Sequence, residues 1–157
     1  MRSAVTDPAA DHDWAHRLPH LLWELSTLTT LLSEAELADS PLTSAGIGIL
    51  DLVHSQPGIT VAEIARRTPK TPQAISQVSG RLEKLGYLER RLAGGRGVAL
   101  HITPDGTKAR TDGNRREAAF DDRLRDALGA DRYEQLRTLL DEATPIVRRI
   151  NARDPRT

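Results

Sequence analysis

Apolar residues recur at helical spacing along most of this chain and at strand spacing in one place only. Leu18, Leu21, Leu22, Leu25, Leu28 and Leu32 fall on one side of a helix predicted from Trp14 to Leu37, which Pro19 either kinks or begins. Ile47, Leu50 and Val53 point inward from a second helix, Pro41 to Ser55, which Gln56-Pro57-Gly58 ends. Val61, Ile64 and Ala65 share a face of a short helix over Thr60 to Arg67. Ile75, Val78, Leu82 and Leu85 make the buried stripe of a longer one, Thr71 to Gly86. The period then changes. Leu88 to Leu92 reads as an outgoing strand. Val98, Leu100 and Ile102 alternate with Ala99 and His101 on the returning one, and Ala93-Gly94-Gly95-Arg96-Gly97 forms the reversal between them. Thr103-Pro104 opens a helix to about Leu128, and Gly129-Ala130-Asp131 breaks it. A last helix, Asp131 to Asn151, carries Tyr133, Leu136, Leu139, Leu140, Ala143, Ile146, Val147 and Ile150. The predicted fold class is mainly α with a small two-stranded β-wing.

Local chemistry reinforces the middle of this pattern. Thr60-Val61-Ala62-Glu63 is a capping box, in which hydroxyl and carboxylate each satisfy a backbone amide of the other residue. Thr68-Pro69 stops that helix. Thr71-Pro72 starts the next, with threonine as N-cap and proline where its missing N–H costs nothing. Opposite the buried stripe stand Gln73, Ser76, Gln77, Gly80, Arg81 and Lys84, a set of hydrogen-bonding and cationic groups. Gly80 sits in a helix interior at a cost of about 1 kcal/mol relative to alanine, which fits close approach either to a phosphate backbone or to another helix. A helix-turn-helix followed by a glycine-tipped ribbon bearing Arg90, Arg91 and Arg96 describes a winged helix-turn-helix module. In it a helix enters the major groove of double-stranded DNA while the ribbon reaches phosphates or the minor groove. Gln73, Ser76, Gln77 and Arg81 are the expected contacts to base edges or adjacent phosphates, with Lys84 beside them. The helix starts at Thr60 and Thr71 are expected to hold phosphates on their amides.

Charge is segregated accordingly. Residues 1–59 carry 2 Lys+Arg and 8 Asp+Glu (net −6), residues 60–96 carry 8 and 3 (net +5), and residues 97–157 carry 12 and 11 (net +1). The neutral total conceals a basic middle suited to a polyanion. At 157 residues the chain is expected to form a single domain. It has no apolar stretch near the ~20 residues that span a bilayer and no basic-then-apolar N-terminus, so a cytoplasmic protein is expected. Zero cysteines excludes disulfides, thiolate metal sites and cysteine-based oxidation switches. His12, His16 and His20 fall at i, i+4, i+8, a spacing suited to zinc on a continuous helix. Pro19 interrupts it, and only Asp13 or Glu24 is near enough in sequence to complete the set. Solvated or lightly packed histidines are therefore the reading, with His54 and His101 at a surface or interface and no metal or cofactor. No nucleophile elbow, phosphate-cradling loop or zinc-protease motif occurs, so an enzyme is not expected.

These residues also carry a family likeness. T-V-A-E-I-A from Thr60, R-L-E-K-L-G-Y-L-E-R from Arg81 to Arg90, G-R-G at the wing tip and L-H-I-T-P-D-G from Leu100 to Gly106 resemble the core of the multiple-antibiotic-resistance-regulator (MarR) family. The likeness covers roughly residues 14–150. One departure stands out: the family commonly has an aspartate two residues before the tip arginine, and here Gly94 leaves Arg96 without that orienting carboxylate. Amphipathic helices at both ends exceed what a small winged core needs, so segments 1–37 and 104–157 are expected to form a dimerisation layer and 41–103 the DNA-binding lobe. The resemblance implies the same intertwined homodimer, a repressor acting on a pseudo-palindromic operator. It also implies a small-molecule effector between dimer helices and lobe, for which Trp14, Trp23 and His54 are the pocket candidates. Two alternatives remain open on the residues alone: a constitutive or architectural DNA-binding protein, and a winged helix used as a protein-interaction module.

Overall fold

The computed structural model describes residues 14–93 and 97–153. Elements follow in the order α1 (Leu18–Glu36), α2 (Ser44–Ser55), α3 (Val61–Arg67), α4 (Pro72–Lys84), β1 (Leu88–Ala93), β2 (Gly97–Ile102), α5 (Pro104–Leu128) and α6 (Ala130–Arg153). Two compact units emerge, one up to Glu117 and one from Ala118, with α5 running from the first into the second.

The first unit holds the core. Leu37, Leu42, Ile47, Leu50, Val53, Ile59, Ile64, Ile75, Leu82, Leu88 and Leu100 are all buried and form one cluster. α4 packs on α2, α3 and β1, which is why its apolar stripe faces inward. That stripe differs from the expected one at two places. Leu85 is 38% exposed, and Ser79 is fully buried in its stead. The chain leaves the helix at Lys84, so Leu85 is already the C-cap. Gly86 at φ 75° then closes it, its amide bonding Glu83 O and the Tyr87 amide bonding Leu82 O, the paired bonds of a Schellman cap.

β1 and β2 pair antiparallel with Leu88 opposite Ile102, Arg90 opposite Leu100 and Leu92 opposite Val98. On its other edge β2 gains a bridge between Ala99 and Thr60, and the Leu100 amide donates to Ile59 O at 3.0 Å. Thr103 joins wing to helix: its hydroxyl donates to Gly86 O at 2.7 Å and accepts from the Gly106 amide at 3.0 Å. Close approach requires glycine here, because a Cβ on Gly106 would lie 2.1 Å from Tyr87 O. α5 also grips α2, with Asp51 accepting from Arg110 Nε at 2.7 Å and Asn114 Nδ2 at 2.9 Å.

Two helices start later than the sequence pattern predicts. Trp14 to His16 make a short 3₁₀ turn and α1 begins at Leu18, so Pro19 marks the true start rather than a kink. α2 begins at Ser44, after Pro41, because the Thr43 hydroxyl accepts from the Gly46 amide and caps it there. α1 is apolar yet open: Leu18, Leu21, Leu22, Leu25, Leu28, Leu31 and Leu32 are all exposed, Leu28 by 52%.

In the second unit the Tyr133 hydroxyl donates to the carboxylate of Asp121, with both oxygens at 2.7 Å, and Arg125 lies 4.9 Å from the Tyr133 ring centroid while pairing with Glu134. The hydrogen bond to Asp121 raises the Tyr133 pKa. α6 contains Pro145 in its interior, which removes one ladder donor, and exposes Leu139, Leu140, Ile146, Val147 and Ile150. No helix among the described residues is long and apolar enough to cross a membrane.

Candidate nucleic-acid interface

The α3–α4 pair is built as its caps dictate. The Thr60 amide donates to Glu63 Oε2 at 2.8 Å and the Glu63 amide to Thr60 Oγ1 at 3.3 Å, completing the capping box. The Thr60 amide, together with the Thr60 hydroxyl that also donates to Glu63 Oε2 at 2.8 Å, holds the Glu63 carboxyl below its ordinary pKa. Thr60 is thus engaged by its own helix and by the bridge to Ala99, and is only partly exposed. Thr71 is exposed and caps α4 through the Ala74 amide at 3.2 Å.

Gln73, Ser76, Gln77, Arg81 and Lys84 all lie exposed on α4. Ser76, Gln77, Val78, Gly80, Arg81 and Lys84 line, with Thr43, an open concavity of about 580 Å³. A Cβ on Gly80 would meet nothing within 4 Å, so no other helix of the described chain needs this glycine. Arg81 Nη2 donates to Pro41 O at 3.2 Å, tying the helix face to the loop before α2.

Among the described residues the wing joins this surface through one ion pair. Arg90 Nε donates to Glu83 Oε2 at 2.9 Å, linking β1 to the exposed side of α4. Arg91 pairs instead with Glu89 on its own strand. Arg96 and the tip glycines Gly94 and Gly95 lie outside the described residues. Glu83 and Glu89 were absent from the sequence-derived site, although Glu83 lies seven residues after Ser76 and so on the same helix face. Their pairing with arginines across a turn or along a strand is visible only once the chain is folded.

The three pocket candidates stand apart from this surface. His20 sits between two tryptophans, its ring centroid 4.3 Å from Trp14 and 5.5 Å from Trp23, while His54 is exposed in the last turn of α2. A separate concavity of about 510 Å³ within the first unit is lined by Thr30 and Glu34 of α1, Ser44, Gly48, Ile49 and Leu52 of α2, and Thr68, Lys70 and Ile75, with none of the three among them. His12 lies outside the described residues. Among the described residues no three metal-ligating side chains gather.

Residues 40–97, from the loop before α2 through β1 to the first residue of β2, match the model of the MarR family. Over that stretch the chain is similar to MarR-family proteins. Among solved MarR-family structures, Mycobacterium tuberculosis Rv2887 in complex with salicylic acid is 26% identical, covering 81% of this chain and 96% of that one at a TM-score of 0.66. The same protein in complex with DNA aligns at 25% identity, 81% and 97% coverage and TM-score 0.68. The transcriptional repressor CouR, bound to a 23-mer DNA duplex, shares the fold at TM-score 0.77 with 22% identity, covering 84% of this chain and 95% of its own. No curated protein matches the sequence. The fold is the winged helix that the hydrophobic pattern predicted, with α3 and α4 as the helix-turn-helix and β1–β2 as the wing.

Proposed function

We propose that this protein is a homodimeric, sequence-specific DNA-binding transcriptional regulator that acts as a repressor and is released from its operator by a small molecule. The observation that carries the reading is the exposed face of α4: amide, hydroxyl and cationic side chains around an open concavity, with Arg90 of the wing tied to the same face. Such a face reads base edges in a major groove while the wing positions on phosphates. A family relative solved with DNA and with salicylic acid supports both halves of the reading.

Dimerisation is supported by the apolar stripes of α1 and α6, each exposed along most of its length. Uncovered stripes of that size belong in an interface. A two-fold dimer then presents two copies of α4 about one DNA turn apart, ~34 Å, to a pseudo-palindromic site. The concavity bounded by α1, α2 and the α3–α4 turn has the size of a small-ligand site and couples to α4 through Ile75. An effector seated there shifts the recognition helix relative to α1.

Selection of bound duplexes from a random pool at near-physiological salt tests the reading. Enrichment of an inverted repeat with half-sites one turn apart is expected. Binding that is purely sequence-independent points to an architectural protein, and no binding removes DNA as the partner.

A further inference from the structure

We infer that Glu83 is a positioning residue for DNA selectivity: it holds Arg90 by the inner edge of its guanidinium and leaves the outer, two-nitrogen edge free for a phosphate. This rests on the DNA-binding reading above and names a residue that the recognition-helix pattern alone does not. A carboxylate on a surface that meets a polyanion repels it, so Glu83 weakens binding unless it does something else. Its side chain is 40% exposed and its Oε2 accepts from Arg90 Nε at 2.9 Å. Among the described residues the two Nη atoms of Arg90 make no other hydrogen bond or ion pair. With Nε anchored, the fork of Nη donors points away from Glu83, the edge that binds phosphate oxygens in a bidentate pair.

The other arginines of the interface are held differently. Arg91 gives an Nη atom to Glu89, and Arg81 gives Nη2 to Pro41 O, so in each an Nη donor is already engaged. Arg90 also stands on the firmest part of the ribbon, opposite Leu100, which is 1% exposed. Among the described residues this ion pair, between partly exposed side chains, ties the wing to the helix face. A specific duplex whose phosphate falls at that spacing profits from an arginine that is already oriented, whereas non-specific DNA meets chiefly the repulsion of the carboxylate. Glu83 therefore lowers affinity for the wrong sequence more than for the right one.

Full-length wild-type protein, Glu83→Ala, Glu83→Gln, Arg90→Ala and the Glu83→Ala/Arg90→Ala double variant are compared on the selected duplex and on a scrambled duplex of equal length across a salt series. Circular dichroism confirms that each variant is folded. Glu83→Ala is expected to reduce the ratio of specific to scrambled affinity about tenfold. Glu83→Gln, which keeps an acceptor for Arg90 Nε but removes the charge that repels non-specific DNA, is expected to fall between wild type and Glu83→Ala. Arg90→Ala lowers the salt slope by about one, and adding Glu83→Ala to it changes the ratio no further. A Glu83→Ala variant that binds both duplexes more tightly by the same factor, or whose effect persists undiminished without Arg90, overturns the inference while leaving DNA binding intact. Failure of the wild type to distinguish the two duplexes overturns the underlying reading and the inference with it.

Discussion

Ser79 shows how much one side chain decides in α4. Its hydroxyl is buried without a hydrogen-bond partner among the described residues, at a place where the apolar stripe passes. An unsatisfied buried hydroxyl costs about 1 kcal/mol or more, so Ser79→Ala is expected to raise stability by about 1 kcal/mol, read as a midpoint increase of about 3 °C in thermal melts. One turn-neighbour away the sign of a similar change depends on the partner. Gly80→Ala meets no atom within 4 Å and is expected to stabilise the isolated protein by about 1 kcal/mol of helix propensity while weakening DNA binding, because the methyl group occupies the face that a phosphate backbone approaches. Unfolding titrations and duplex affinity measured on the same variant check both halves. If affinity is unchanged, Gly80 is not at the DNA contact.

At the scale of elements, the joints between helices carry the constraints. Gly106 is the tightest: with Tyr87 O in the space of a Cβ, Gly106→Ala is expected to cost about 3 kcal/mol by displacing the start of α5 from the α4–β1 turn. A destabilisation under about 1 kcal/mol in denaturant unfolding contradicts that close approach. The joint of α1, α2 and α5 is acidic instead. Ser44 lies at its centre, its amide donating to Glu34 Oε1 at 3.2 Å and its hydroxyl within 2.7 Å of Ser33 Oγ. Burial raises the Glu117 pKa there, opposed by a hydrogen bond with Ser44 and reinforced by the charges of Asp51 and Glu34, while Arg110 balances Asp51. A raised carboxyl favours the folded state while protonated. Its contribution is complete below the ordinary glutamate value of 4.5 and is lost as pH rises through the raised value. Glu63 and Glu134 act in the opposite sense, stabilising above the ordinary value and losing that contribution as pH falls through their lowered ones. Glu117→Gln is therefore expected to melt higher than wild type at pH 7 and to coincide with it at about pH 4 or below. Equal melting temperatures across the whole range contradict the assignment.

For the whole molecule, the proposed dimer rests on the two apolar stripes. Leu28 on α1 and Val147 on α6 are exposed by 52% and 61%, and a glutamate at each adds little strain to a monomer but cannot enter an apolar interface unpaired. Leu28→Glu/Val147→Glu is expected to sediment as a folded monomer and to lose about a hundredfold or more in affinity for a two-half-site duplex, since the second recognition helix no longer binds in tandem. A double variant that stays dimeric places the interface elsewhere.

Much of this was readable along the chain because it depends on residues close in sequence. The capping box at Thr60, the Thr71-Pro72 start, the period-2 run from Val98 and the Gly86 stop are local, so hydrogen-bonding chemistry and side-chain period determined them before any packing. The same logic exposed Gln73, Ser76, Gln77, Arg81 and Lys84 on one face of α4. What local pattern could not settle was the end of a stripe and the partner of a charge. Leu85 fits the helical period, yet the Schellman cap takes it out of the helix and Ser79 enters the core, because packing against α2 and β1 decides which residue is covered. Glu83 and Arg90 are seven residues apart across a helix end and a turn, and only the chain reversal at Gly86 brings their side chains together. Local periodicity determined the winged fold and its polar face. The tertiary structure decided which cations remain free to act, because ion pairing is set by distance in space and not along the chain.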